Sequence, residues 1–395
     1  AFEEETYQAH PSLKLQRGLF DAAGIDELHA LVPDGRTAAL EFVTTDKQTL
    51  VLALTRKAAP ALGDAAAAVP LQVEMKTIEV TGLDLARRVR DFRGLIRGRS
   101  RDVEKAARDL YDLLLQPVHD ALAGKARLVI VPDGPLWLLP FQALQSPDGR
   151  FVIQQCAVSY APSLTALNLV AGSLLAPPAA SRSRRVVAVG NRQAASASDR
   201  LKLLNPAVDL RPMPNAEQEV RRLAQIYAKR AKLYVGRAAT QEAIRADARD
   251  ASLLHLATFF VPSVASPMRS PIVLAAEQSG QAHVIEAWEL MNGVAAPVTI
   301  VSRVQTERVG GEGSVPVGLS WVLFVGGAKT VVLATWPDDS PAAVTLMLAL
   351  HRNLSQAGAT RRAASEALRR AILLALVTKY RHPFYWANYA VIGIG

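Results

Sequence analysis

The side chains able to do covalent or acid–base chemistry are few and scattered. Cys156 is the only cysteine, and a thiolate nucleophile needs a histidine beside it to take its proton. It lies in the apolar run Ile153 to Ser159, which reads as a strand, where a free cysteine behaves as a small buried hydrophobe. A lone cysteine also excludes an intramolecular disulfide framework, a cysteine-rich zinc site and a CxxC redox pair. His10, His29, His119, His283, His351 and His382 fall at no metal-ligand spacing. His255 sits inside the apolar run Leu253 to Ala257 and reads as a hydrogen-bonded core histidine. Ser302 and Thr306 border another apolar run without an identifiable base. Asp338 and Asp339 follow Trp336 and precede Pro341; taken alone they cap or solvate a helix starting there.

Seven arginines, Arg87, Arg88, Arg90, Arg93, Arg97, Arg99 and Arg101, crowd one stretch, and such a cluster is how a protein meets phosphate. Asp84, Asp91 and Asp102 interleave with them and aromatic residues are scarce, so a solvated helix face is the simpler reading. The pairs Arg361-Arg362 and Arg369-Arg370 read the same way.

Several elements must position these groups. Weak helical patterning over residues 1–35 precedes an alternating stretch from Ala38 to Thr55, centred on Asp46-Lys47, which predicts a β-hairpin. Leu85, Val89, Phe92 and Ile96 fall at helical spacing, and a second helix is expected from Asp102 to Ala123, stopped by Gly124. Beyond about residue 125 the pattern changes to short apolar runs separated by helical segments. The runs are Leu128 to Val131, Val186 to Val189, Lys232 to Val235, Leu253 to Ala257, Val298 to Ser302, Thr330 to Ala334 and Tyr389 to Ile394. They predict buried parallel strands with crossover helices. Residues 171–185 and 192–200 read as exposed loops. The expected organisation is an N-terminal hairpin-and-helix part over 1–125 and an α/β domain over 126–395.

Half of the 395 residues are apolar and the net charge is +9, enough for a sizeable core and a bias toward acidic partners. No apolar run reaches the ~20 residues that span a bilayer. The start at Ala1 suggests that a start or an upstream domain has been removed. The compartment stays open, with the cytoplasm favoured.

The segment Leu128-Val-Ile-Val-Pro-Asp-Gly-Pro-Leu-Trp-Leu-Leu-Pro-Phe-Gln-Ala-Leu144 resembles a stretch of the CHAT family of caspase-like proteins. The resemblance continues, in the family's order, through Val158 to Leu164, Ala188 to Gly190, Ala216-Glu-Gln-Glu-Val220, Gly236 with Ala238 to Thr240, Leu254 to Thr258, Gly326 to Ala328, Trp336 with Asp338 and Asp339, and His382-Pro-Phe-Tyr-Trp386. It implies a caspase-like three-layer α/β/α sandwich with a mostly parallel central sheet, plus the N-terminal hairpin and helices. The family's general base follows one strand in His-x-Ala-Thr-His-Gly, and its cysteine nucleophile follows the next in Leu-Ser-Ala-Cys-Glu-Thr. Here those stretches read His255-Leu-Ala-Thr-Phe-Phe260 and Val301-Ser-Arg-Val-Gln-Thr306. Phe259 and Val304 thus stand at the base and nucleophile positions, and neither carries a titratable group. Phe260, Arg303 and Gln305 replace a glycine, a small residue and an acidic residue of the pattern.

The resemblance therefore implies a pseudoprotease that binds a protein or peptide, with no cofactor or metal. Asp338, Asp339, Arg303 and Trp336 are the binding positions it nominates. An active relative or an upstream helical-repeat region are the partners it suggests. Two alternatives stand beside it: a peptidase with an unrecognised nucleophile, and a basic nucleic-acid or membrane-surface binder, with nucleic acid the less favoured partner.

Overall fold

The computed structural model describes residues 21–56, 70–172, 184–193, 201, 208, 211–263, 265–276, 282–292, 296–304, 314–356 and 363–395. The N-terminal hairpin forms where alternation placed it, as β1 (Thr37–Thr44) and β2 (Thr49–Thr55), and a third strand, β3 (Gln72–Ile78), adds to its outer side. Helices α1 (Gly82–Arg97) and α2 (Val103–Leu114) follow. The Thr81 hydroxyl caps α1 by accepting the Asp84 amide. The single helix expected over 102–123 is instead broken after Leu114: Pro117 lacks an amide proton to continue the ladder, and a 3-10 turn separates α2 from the short α3 (His119–Leu122).

The chain then alternates between strands and helices: β4 (Arg127–Val131), α4 (Val152–Gln155), β5 (Ala157–Tyr160), α5 (Leu164–Ala171), β6 (Val186–Gly190), α6 (Pro214–Tyr227), β7 (Ala231–Val235), α7 (Gln241–Ala248) and β8 (Leu253–Ala257). Three short strands, β9 (Phe259–Phe260), β10 (Pro271–Ala276) and β11 (Ala282–Glu286), make a separate small sheet that the sequence reading did not anticipate. Then come β12 (Val298–Val301), α8 (Ser314–Val325), β13 (Thr330–Ala334), α9 (Pro341–Gln356), α10 (Ala363–Leu376) and β14 (Tyr389–Gly393). Cys156 is not in a strand as expected; α4 occupies the start of that run, and β5 begins one residue after the cysteine.

Among the described residues the main sheet has eleven strands in the order β3-β2-β1-β4-β5-β14-β13-β12-β8-β6-β7. Nine of them form two parallel blocks, β1-β4-β5-β14 and β13-β12-β8-β6-β7, running in opposite directions and meeting where β13 pairs antiparallel with β14, while β2 and β3 add to the β1 edge as antiparallel strands. Helices flank it as in a three-layer α/β/α sandwich. The sheet runs through residue 125 without a break, because β1 pairs with β4 from Thr37 opposite Arg127 to Glu41 opposite Val131.

Side chains alternate across the sheet. Ala38, Leu40 and Phe42 join the large core that includes Leu85, Val89, Phe92 and Ile96 of α1. Ala39, Val129 and Val131 face a smaller core with Leu31, Val32, Leu164 and Leu167. Arg87, Arg88, Arg90 and Asp91 lie outside the buried stripe of α1, but Arg93 is drawn into it. Most of 171–185 and 192–200, the first twenty residues, Gln305 and Thr306 lie outside the described residues.

Candidate functional site

The site is built where β8 and β12 end side by side. They pair in parallel from Leu253 opposite Val298 to Leu256 opposite Val301, and the Ser302 amide extends the ladder to the Leu256 carbonyl at 3.0 Å. Chain leaving these two strands at their carboxyl ends must meet, the usual place for chemistry in an open α/β sheet. After β8 come Thr258, Phe259 and Phe260; after β12 come Ser302, Arg303 and Val304. Phe259 and Phe260 form β9 and pair with Val273 and Ile272 of β10, and Thr258 donates its hydroxyl to the Val273 carbonyl. Phe259, Phe260 and Val304 are all buried in the main core.

Beside them lies a buried polar network centred on Glu219 of α6. Glu219 Oε1 accepts from His255 Nε2 at 2.8 Å and from the Ser302 hydroxyl at 2.8 Å. Its Oε2 accepts from Arg303 Nη2 at 2.8 Å. The same guanidinium donates from Nη1 to the Ser302 carbonyl at 2.9 Å and from Nε to Asp339 Oδ1 at 3.3 Å. Asn215, at the start of α6, completes the cradle with its side-chain amide on the Asp339 carbonyl at 2.6 Å. On the other side, His255 Nδ1 lies 3.1 Å from His351 Nε2, and the Tyr227 hydroxyl lies 3.0 Å from His351 Nδ1.

His255 Nε2–H donates to the Glu219 carboxylate, and the Tyr227 hydroxyl also lies 3.2 Å from the His351 carbonyl, so each imidazole nitrogen of the pair has a hydrogen-bond partner. Burial, and then neighbouring His255, hold the His351 pKa well below its ordinary 6.5. Burial alone would raise the Glu219 carboxyl, but Arg303 and the hydrogen bonds from His255 and Ser302 outweigh it and hold it below 4.5. Burial works against the Arg303 cation, and Glu219 more than offsets it. Burial raises the carboxyls of Asp338 and Asp339 despite the pull of Arg303.

The nominated binding residues thus come together, but not as free groups facing a groove. Arg303 is 1% exposed and held between two carboxylates. Trp336 is buried under the Arg93 guanidinium. Asp338 accepts the Ser340 amide, and the Ser340 hydroxyl accepts the Ala343 amide at the start of α9. Three buried atoms close to this network, Trp336 Nε1, Asp338 Oδ2 and the Tyr389 hydroxyl, have no partner among the described residues. Ser302 does come within 3.4 Å of His255 Nε2, but that nitrogen is committed to Glu219 and cannot serve the serine as a base. Cys156 is buried, and burial pushes its thiol up to about 12. Among the described residues no group of three or more His, Cys, Asp or Glu could hold a metal ion.

Sequence reasoning missed Asn215, Glu219, Tyr227 and His351 as members of this cluster. One signal was present: Ala216, Val220, Leu223 and Tyr227 form the apolar stripe of α6, and Glu219 falls at its three-residue spacing from Ala216. A carboxylate on a buried stripe needs a buried cation or donors.

The chain matches the family model of the CHAT domain over residues 104–394. It belongs to the CHAT domain family. Among solved structures, this CHAT domain is similar to the Arg-specific cysteine proteinase gingipain R, at 9% identity and a TM-score of 0.44, covering 79% of this chain and 74% of that one. It is similar to the complex of Porphyromonas gingivalis RgpB pro- and mature domains at 9% identity and a TM-score of 0.45, covering 79% and 76%. With the Saccharomyces cerevisiae separase–securin complex the identity is 8% and the TM-score 0.51. That match covers 96% of this CHAT domain chain and 30% of the other; at this identity it speaks for the fold. A comparison with curated proteins finds no match.

Proposed function

We propose that this CHAT domain is a catalytically silent member of a peptidase fold that binds a protein or peptide partner instead of cutting it. The observation that carries the reading is the chemistry at the two strand ends. Phe259 and Val304, at the positions the resemblance assigns to base and nucleophile, are buried and apolar, and neither can take or give a proton. The polar side chains of the adjoining network, Ser302, His255 and Arg303, are bonded to Glu219, and Thr258 donates its hydroxyl to the Val273 carbonyl. A peptidase working through another nucleophile would need a thiolate or an activated hydroxyl. Cys156 is a buried thiol, and the histidine near Ser302 is bonded to a carboxylate. That a separase of related fold is found in complex with securin supports a protein as the partner class.

The test is digestion of a peptide library read by mass spectrometry, with the full chain beside a Phe259→His/Val304→Cys version. The unmodified chain is expected to cut nothing. Specific cleavage by it that survives inhibitors of contaminating proteases overturns the proposal.

A further inference from the structure

Arg93 and Arg303 are both buried, and their surroundings are opposite. Arg303 is neutralised by Glu219 and Asp339. Arg93, on α1, is 9% exposed; its Nη1 donates to the Leu138 carbonyl at 3.0 Å and its Nη2 to the Thr335 carbonyl at 3.2 Å, over the ring of Trp336. Carbonyls satisfy N–H groups but bring no counter-charge. No carboxylate pairs with Arg93 among the described residues, and the charge that bears on it is another cation, Arg97; burial first, and then Arg97, bring its pKa down to about 10. A buried cation without an anion is a costly arrangement, and a guanidinium has five donors to offer.

Arg93 lines a small, partly open cleft at the seam between β13 and β14, walled by apolar groups such as Leu138, Pro140, Leu333, Ala390 and Ile392. Three other polar side chains on that wall, Gln142, Tyr160 and Thr335, are already committed. Gln142 Nε2 donates to the carbonyls of Ala387 and Tyr389, and Gln142 Oε1 receives the Tyr160 hydroxyl. The Thr335 hydroxyl donates to the Asn388 carbonyl. What remains is one cationic fork without a counter-ion in an apolar wall.

We propose that this cleft binds a carboxylate, received by the Arg93 guanidinium, with a small apolar group attached to it resting at the cleft's open mouth. A planar fork facing a planar anion is the favoured geometry for such a pair; the enclosed space is only about 20 Å³, enough for the carboxylate head, so the attached group lies at the open mouth against the apolar rim. The site is separate from the strand ends discussed above and does not depend on whether the chain cleaves peptides. The same chemistry could be presented by a free branched short-chain acid or by the C-terminal carboxylate of a peptide ending in leucine.

Saturation-transfer NMR on the full chain separates these sources. One arm compares isovalerate with isovaleramide; the other compares acetyl-Gly-Gly-Leu with a free and an amidated C-terminus. In whichever arm supplies the ligand, the acid is expected to bind on the order of tenfold or more tighter than its neutral amide. Arg93→Met is expected to abolish that preference while leaving the melting temperature unchanged or higher, because the uncompensated charge is gone. If that variant does not fold, Arg93→Lys decides: it keeps the charge but loses the fork, and the acid should bind measurably weaker. Equal binding of acid and amide in both arms, no binding in either, or a preference that persists in the Arg93 variant overturns the proposal. A lower melting temperature in Arg93→Met, with no acid preference in the parent, identifies Arg93 as a brace for Leu138 and Thr335 alone.

Discussion

Glu219 holds a serine, a histidine and an arginine on two oxygens, so the cost of disturbing it depends on what is left behind. Arg303→Met would strand Glu219 as a buried carboxylate and leave the partly buried Asp339 without its cation, and a loss of about 3–5 kcal/mol in urea unfolding is expected. Adding Glu219→Gln to that variant should recover part of the loss, a non-additivity expected of residues in one network. The network also sets a pH dependence. The His351 pKa is lower folded than unfolded, so below about pH 6.5 the unfolded chain binds the extra proton. Stability should fall as pH drops through that window, by up to about 1.4 kcal/mol per pH unit for this one group. Glu219, also lowered, acts in the same direction below about 4.5, while the raised Asp338 and Asp339 oppose it. Denaturation curves at pH 7.5 and 5.5 check the sign, and His351→Gln should flatten the difference. At this scale the sequence was legible only in part. That Phe259 and Val304 lie just past the ends of two neighbouring strands was legible because they follow recognisable strand motifs. The partners of His255 were not, since Glu219 and His351 reach it from 36 and 96 residues away, a distance no local pattern spans.

The core strands of the doubly covered sheet were legible because burial on both faces leaves short, nearly uninterrupted apolar runs such as Val186–Gly190 and Thr330–Ala334, buried at every position. β3 went unread because six of its seven residues are exposed, which leaves no apolar face to detect. The β9–β11 sheet was missed because a two-residue strand has no period. The packing of α6 on β6 depended on a detail with no periodic signature. Gly190 lies against the helix so closely that an added Cβ would stand 3.1 Å from Val220 Cγ2 and 3.3 Å from the Glu217 Cα. Gly190→Val should therefore push α6 outward and cost about 1–3 kcal/mol in thermal or urea unfolding. Because Glu219 rides on that helix, the variant should also shrink the pH dependence set by His351; an unchanged pH profile would mean the helix had not moved.

Over the whole molecule, the resemblance carried the architecture and the strand order had to be seen. The hairpin of the N-terminal hairpin-and-helix part extends the main sheet through β1 and β4. Joining the two parallel blocks falls to β14, which pairs with β13 at five positions and with β5 through Ile392 opposite Tyr160. Val391 lies opposite Val332 in the middle of that seam. Proline there cannot complete a central ladder, and Val391→Pro should replace one cooperative melting transition by two when followed by calorimetry. The seam also orders events in time. While the chain is being made, the block containing β5 and the block containing β13 can each begin to assemble as they leave the ribosome, yet neither gains its neighbour until residue 393 has emerged. For that interval the sheet has two open inner edges, and a nascent chain stalled before residue 389 should be the form most dependent on a chaperone.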